Sequence, residues 1–152
     1  MSEVERIADQ LHRAFYGEAW SGPALWELLA GVDFPTAAAR PVVGAHSIWE
    51  IVLHAAVWKR VVVERLRGQD PRPTGEKDWP PAGNASEAAW HKAKNELENA
   101  HRQLEQSVAA LKEERLAETV PGHDYNFYVM LQGAAQHDLY HGGQIALLKK
   151  GK

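Results

Sequence analysis

The chain has no cysteine among its 152 residues. That excludes disulfides and any reaction in which the protein supplies its own thiolate, and it leaves nitrogen and oxygen alone to hold a metal. Long apolar runs are missing too: no stretch approaches the ~18 residues of a membrane span. The opening Met1-Ser2-Glu3-Val4-Glu5-Arg6 is charged and mixed, unlike a secretory signal. Positive charge is not segregated. Seventeen Lys and Arg are interspersed with twenty Asp and Glu for a formal net charge of -3, so no basic stripe faces nucleic acid or an anionic membrane. The length suits a single domain over 1–152, large enough to bury a core without staples. These features predict a soluble, cytoplasmic protein whose partner is a small molecule, with no nucleic acid and no membrane.

Apolar residues recur at helical spacing almost throughout, and no strand-like alternation or internal repeat competes. Val4, Ile7, Leu11, Ala14 and Phe15 predict a helix over 3–16, opened by a Ser2/Glu5 capping box. Ser21-Gly22-Pro23 starts a short extra helix or turn over 22–30, and Asp33 to Gly44 reads as an external connector. Ser47-Ile48-Trp49-Glu50 repeats the capping-box pattern and begins a second main helix, with Ile51, Ala55, Trp58, Val62 and Leu66 in one stripe and Gly68 as its stop. Val61, Val62 and Val63 make that helix apolar beyond one face, which predicts packing against a second subunit and hence a homodimer. Residues 69–85 hold four prolines and two glycines and read as a long functional loop. A third, one-sided helix starts near Ser86, and a fourth covers about 126–149. The chain is therefore predicted to be all-α, a four-helix bundle whose sites are built from inward-facing side chains.

Three histidines stand in those inward stripes. His137 and His141 are four residues apart, so both rings lie on one face of the last helix, one turn apart. They join Met130, Ala134, Ile145 and Leu148 in its apolar stripe, and His54 occupies the stripe of the second main helix. Buried imidazoles without partners are costly, and a shared metal satisfies several at once. Three neutral nitrogens with the remaining positions open describe a reactive rather than a structural metal site. Glu50, one turn before His54, fits two roles: a general base or weak ligand, and the N3 residue of the Ser47 cap. Asp138 and Gln144 flank the helix-end pair and are candidates to orient its rings, Asp138 equally fitting a solvated acid. His12, His91 and His101 fall on polar or boundary positions, which predicts surface roles. His46 and His123 precede helix starts. Gly142-Gly143 within a helix calls for a close neighbour as compensation.

Six tryptophans, at 20, 26, 49, 58, 79 and 90, supply core bulk. Trp49, Trp58 and Trp79 are placed to shape an apolar wall, with the 69–85 loop as its cover.

The run Gln136-His137-Asp138-Leu139-Tyr140-His141-Gly142-Gly143-Gln144-Ile145 resembles the H-x-x-x-H-x-G-Q-I signature of the DinB/YfiT-like superfamily. The stretch His46 to His54 resembles that family's second helix, which ends on its first metal histidine. Trp20-Ser21-Gly22-Pro23 and Asp78-Trp79-Pro80-Pro81 extend the similarity over nearly the whole chain. The resemblance implies an up-down-down-up bundle, often dimeric. It also implies a divalent metal, zinc, nickel or another, on His54, His137 and His141. Relatives include S-transferases that use low-molecular-weight thiols and metal-dependent hydrolases. The expected function is a metal-dependent S-transferase or hydrolase acting on a small molecule. The competing expectation is a bundle that binds a metal or small molecule without turnover.

Overall fold

A computed structural model of the chain, described over residues 1–151, is helical in all its regular elements, with no β-strand among the described residues. Four long helices carry the fold: α1 (Glu3–Phe15), α4 (Ile48–Leu66), α5 (Glu87–Ala109) and α6 (Phe127–Leu148). Two short ones, α2 (Leu25–Leu29) and α3 (Phe34–Ala38), lie between α1 and α4. Side-chain caps open each long helix. Ser2 and Glu5 complete a reciprocal box on α1, as Ser47 and Glu50 do on α4, while Ser86 and Asn126 accept the N3 amides of α5 and α6. Gly68 closes α4 with φ at 91°, a conformation that a β-carbon would strain. α3 was expected to be irregular. Asp33 caps it by accepting from the Thr36 amide, and Pro35 falls in its first turn, where proline helps rather than breaks a helix.

Contacts along the helices establish the directions. Trp49 meets Trp90 and Lys59 meets His101, so α4 and α5 run parallel. His54 meets His137, Lys59 meets Asp138 and Arg65 meets Tyr125, so α6 runs against α4. His12 and Tyr16 meet Glu105 and Glu98, so α1 opposes α5. The order is up-down-down-up, as the resemblance implied.

Two apolar clusters fill the bundle. One gathers Phe15, Leu25, Trp49, Val52, Trp90, Leu97 and Ile145 at the end where α4 and α5 begin. The other gathers Ile7, Leu11, Val62, Leu104, Val108, Phe127 and Leu131 at the opposite end. α4 is the central helix, with fourteen of its nineteen residues buried. That corrects the reading of Val61, Val62 and Val63, which are 4%, 7% and 4% exposed within the single chain. Their excess apolarity is used internally by a helix with neighbours on several sides, so they offer no face to a second subunit.

Candidate metal centre

α4 and α6 bring His54, His137 and His141 together at the flank of the bundle. One ring nitrogen from each lies within 4.8 Å of the others, and these are the only three His, Asp or Glu residues so clustered among those described. His137 Nε2 is 3.3 Å from His54 Nε2 and 3.0 Å from His141 Nε2. Ligands about 2.0–2.1 Å from a divalent ion, at angles between square and tetrahedral, stand about 2.9–3.4 Å apart, so the spacing fits one shared ion.

Proton placement supports the same fit. The Nδ1 of His54 lies 2.9 Å from the Asp78 carbonyl, which can only accept, so Nδ1 carries the hydrogen and Nε2 is a lone pair. His141 Nδ1 likewise donates to Gln144 Oε1 at 2.7 Å, freeing its Nε2. Two lone pairs thus converge on His137 Nε2, which can offer one hydrogen at most. A cation satisfies all three. Burial lowers the pKa of His54 and His141, and it lowers that of His137 to about 3 with help from the neighbouring His141, His54 and Lys59. All three rings are therefore neutral, the form that ligates.

The orienting groups were half foreseen. Gln144 acts as expected. The partner of His54 comes from the 69–85 loop, which sequence reading took only as a cover. A 3-10 turn at Gly75–Lys77 delivers Asp78, whose Oδ1 lies 3.1 Å from His54 Nδ1 and accepts from the Trp58 indole at 2.7 Å. Trp79 stacks on His54 with ring centres 3.7 Å apart and on His46 at 3.6 Å. The Trp79-Pro80-Pro81 run signals a stiff segment, which is what locking an imidazole requires. Of the expected aromatic wall, Trp58 and Trp79 are at the site. Trp49 is not: it is buried against Trp90 in the core.

Several other expectations change. Glu50 completes its cap, and its two carboxylate oxygens also engage Arg40, His46 and the Ser47 hydroxyl. Burial pushes its pKa up, but His46, Ser47 and Arg40 outweigh that and hold it below the usual range. Asp138 is neither a solvated acid nor an orienter of the triad. It is 1% exposed at the centre of the buried face of α6 and binds Lys59 Nζ at 2.7 Å. Lys59 in turn donates to His101 Nδ1 at 3.0 Å, and His101 Nε2 donates to Glu105 at 3.1 Å. His101, expected at the surface, is 0% exposed and stacked on Phe15. A lysine in the apolar stripe of α4, between Ala55 and Val62, was the missed signal. Tyr140 faces solvent. His123 pairs with Asp70, and His46 pairs with Glu50 on the far face of Trp79 from His54, so neither joins the three clustered nitrogens. Gly142 is explained by α2, because a β-carbon there would stand 3.3 Å from Leu28. Gly143 has no such neighbour.

Beside the triad a cavity of about 250 Å³ runs between α4 and α6. His137, Trp58 and Asp138 line it near the triad, and Val62, Met130 and Arg65 further along. Such a volume suits a small molecule. Fold and site together define an all-helical bundle whose three inward histidines could hold a metal. The model of the DinB superfamily matches residues 19–145, and the chain belongs to that superfamily. Searches of curated proteins and of solved structures returned no match.

Proposed function

We propose that the protein is a divalent-metal-dependent enzyme that transfers a small thiol to an electrophile, with hydrolysis as the related reaction at the same site. The observation that carries this is the convergence of three Nε2 atoms, two of them committed as lone pairs by Asp78 and Gln144. A bound zinc or nickel ion would supply Lewis acidity that brings a thiol or water to its nucleophilic form near neutral pH. His54, His137 and His141 would hold it. Trp79 and Asp78 keep the His54 ring fixed from the loop side, and the cavity past His137 admits the substrate.

Thiol transfer is preferred over hydrolysis because, among the described residues, each carboxylate near the triad already has a hydrogen-bond partner. Asp138 is bound to Lys59, Glu50 is held in its cap, and Asp78 Oδ1 already accepts from Trp58. A thiol gives up its proton far more readily than water does and needs less help from a base. The same lack of a base supports a second reading, a bundle that binds metal and small molecule without turnover.

Elemental analysis of protein purified without chelator or affinity metal is expected to find stoichiometric zinc or nickel, lost in His54→Ala, His137→Ala and His141→Ala. Metal-loaded protein should then be assayed with low-molecular-weight thiols against a haloarene and an epoxide, beside ester, amide and lactone substrates. Turnover only with a thiol present selects transfer, and turnover of the second panel selects hydrolysis. No turnover in either, with metal bound, selects the binding reading. Absence of stoichiometric metal sinks the proposal.

A further inference from the structure

Arg65 is the one buried cation for which the fold supplies no acid among the described residues. Its residue exposure is 5%, yet it forms no ion pair with any Asp or Glu. Its Nη1 donates to the Tyr125 hydroxyl at 3.1 Å and its Nη2 to the Pro71 carbonyl at 3.1 Å. Its Nε is buried without any partner. A guanidinium has five N–H donors, so most of them are unused. The face of Trp58, its ring centre 5.6 Å from the guanidinium carbon, offsets part of the charge, but a buried cation with no acid partner and an unpaired N–H remains costly.

The place of Arg65 says what would complete it. It lines the cavity beside the triad, together with Tyr125, at the end away from His137. The other charged groups on that wall, Lys59 and Asp138, bind each other and sum to zero wherever their shared proton sits. The cavity therefore carries a net positive charge at one end and an apolar body of Val62, Met130 and Ala134. The Trp58 ring joins the two ends, with the Arg65 guanidinium against it and the His137 ring centre 6.4 Å from its own. We infer that this cavity binds a small carboxylate ligand, its anionic group on Arg65 and its apolar part lying toward His137. The inference rests on the proposed reading only in assigning the near end to the reacting centre; recognition by Arg65 requires no metal.

The test uses 3-phenylpropionate and 4-phenylbutyrate as probes, each against its neutral primary amide. Binding is followed by Trp fluorescence and by calorimetry, in metal-loaded and chelator-treated protein. Each acid is expected to bind at least tenfold more tightly than its amide in both forms. Arg65→Gln should erase that preference while leaving amide binding within a factor of about two, and Arg65→Lys should retain part of it. Because these variants could fail to fold, the Arg65 Nε–H resonance of the unaltered protein provides a second readout. It should shift on adding the acid and not on adding the amide.

No carboxylate binding at millimolar probe, equal binding of acid and amide, or an unmoved Arg65 resonance overturns the inference. A preference that needs metal and survives Arg65→Gln also overturns it, by placing the carboxylate on the ion. Preference in chelator-treated protein that never takes up metal would uphold Arg65 recognition while the enzyme reading falls.

Discussion

Two of the polar clusters inside this bundle solve the same problem in opposite ways. His137 and Asp138 are adjacent on α6, yet each enters a different one. Around Asp138 the chain supplies the partners itself: Lys59 donates to Asp138 and His101, and His101 to Glu105. Around His137 three nitrogens face one another with at most one hydrogen among them, while the hydrogens of His54 and His141 point outward to Asp78 and Gln144. The first group is closed by the protein itself. The second is left open by the chain and could be closed by a metal ion, and that contrast, rather than histidine content, marks the candidate site.

The largest expected consequence lies in the closed group. Asp138→Leu leaves the Lys59 ammonium buried without its partner, and such breaks cost about 3–5 kcal/mol. The double change Lys59→Met/Asp138→Leu removes both charges and is expected to recover most of that loss in urea unfolding. His137→Ala in metal-free protein removes no paired charge and should cost distinctly less than Asp138→Leu. Equal losses from His137→Ala and Asp138→Leu would erase the distinction between a structural and a functional cluster.

The next effect separates the two groups by metal affinity instead of stability. Gln144 fixes the tautomer and angle of His141, and orienting groups of this kind contribute roughly 10–100-fold to metal affinity. Gln144→Leu is expected to weaken zinc or nickel binding by that factor in a competition titration. His101→Gln should leave the affinity unchanged, since His101 has both nitrogens engaged elsewhere. A large metal defect in His101→Gln, or none in Gln144→Leu, would mean that the open cluster has been misassigned.

Most of the open site was legible in the sequence because its logic is local. Spacing of four on a helix makes His137 and His141 neighbours whatever the rest of the chain does, and an apolar stripe carries His54 to the same interior. Four helices and their starts were equally readable, since Ser2, Ser47, Ser86 and Asn126 act within one turn. What escaped depends on distant partners. Asp138 read equally as an orienter of the rings or a solvated acid because helical phase counts only its own neighbours, and its actual partner is Lys59, 79 residues earlier. His101 looked exposed because its surroundings in sequence are polar, although Phe15 and Lys59 cover it. Asp78 sits in an irregular loop with no periodicity to read, so its bond to His54 was invisible.

The smallest and most distributed effect is on acid stability. His54, His101, His137 and His141 all have pKa values lowered by burial, His101 to about 2 and His137 to about 3, from an ordinary 6.5. Above pH 6.5 neither the folded nor the unfolded chain protonates these rings, and their neutrality costs nothing. Below it the unfolded chain takes up protons that the folded one refuses, so folding stability falls as pH falls. His101 and His137 each contribute a slope of about 1.4 kcal/mol per pH unit, which for His101 continues down toward pH 2. His101→Gln is expected to be less stable at pH 7 yet to lose stability more slowly between pH 6 and 4, by one histidine's slope, with or without metal. His137→Gln should flatten the metal-free profile similarly and, unlike His101→Gln, abolish the stabilisation that added metal gives. Chemical unfolding across that pH range, repeated with chelator and with zinc, reads both. An unchanged slope in His101→Gln would show that this ring does titrate in the folded chain, and the closed network could not then be the fixed structural counterpart of the open one.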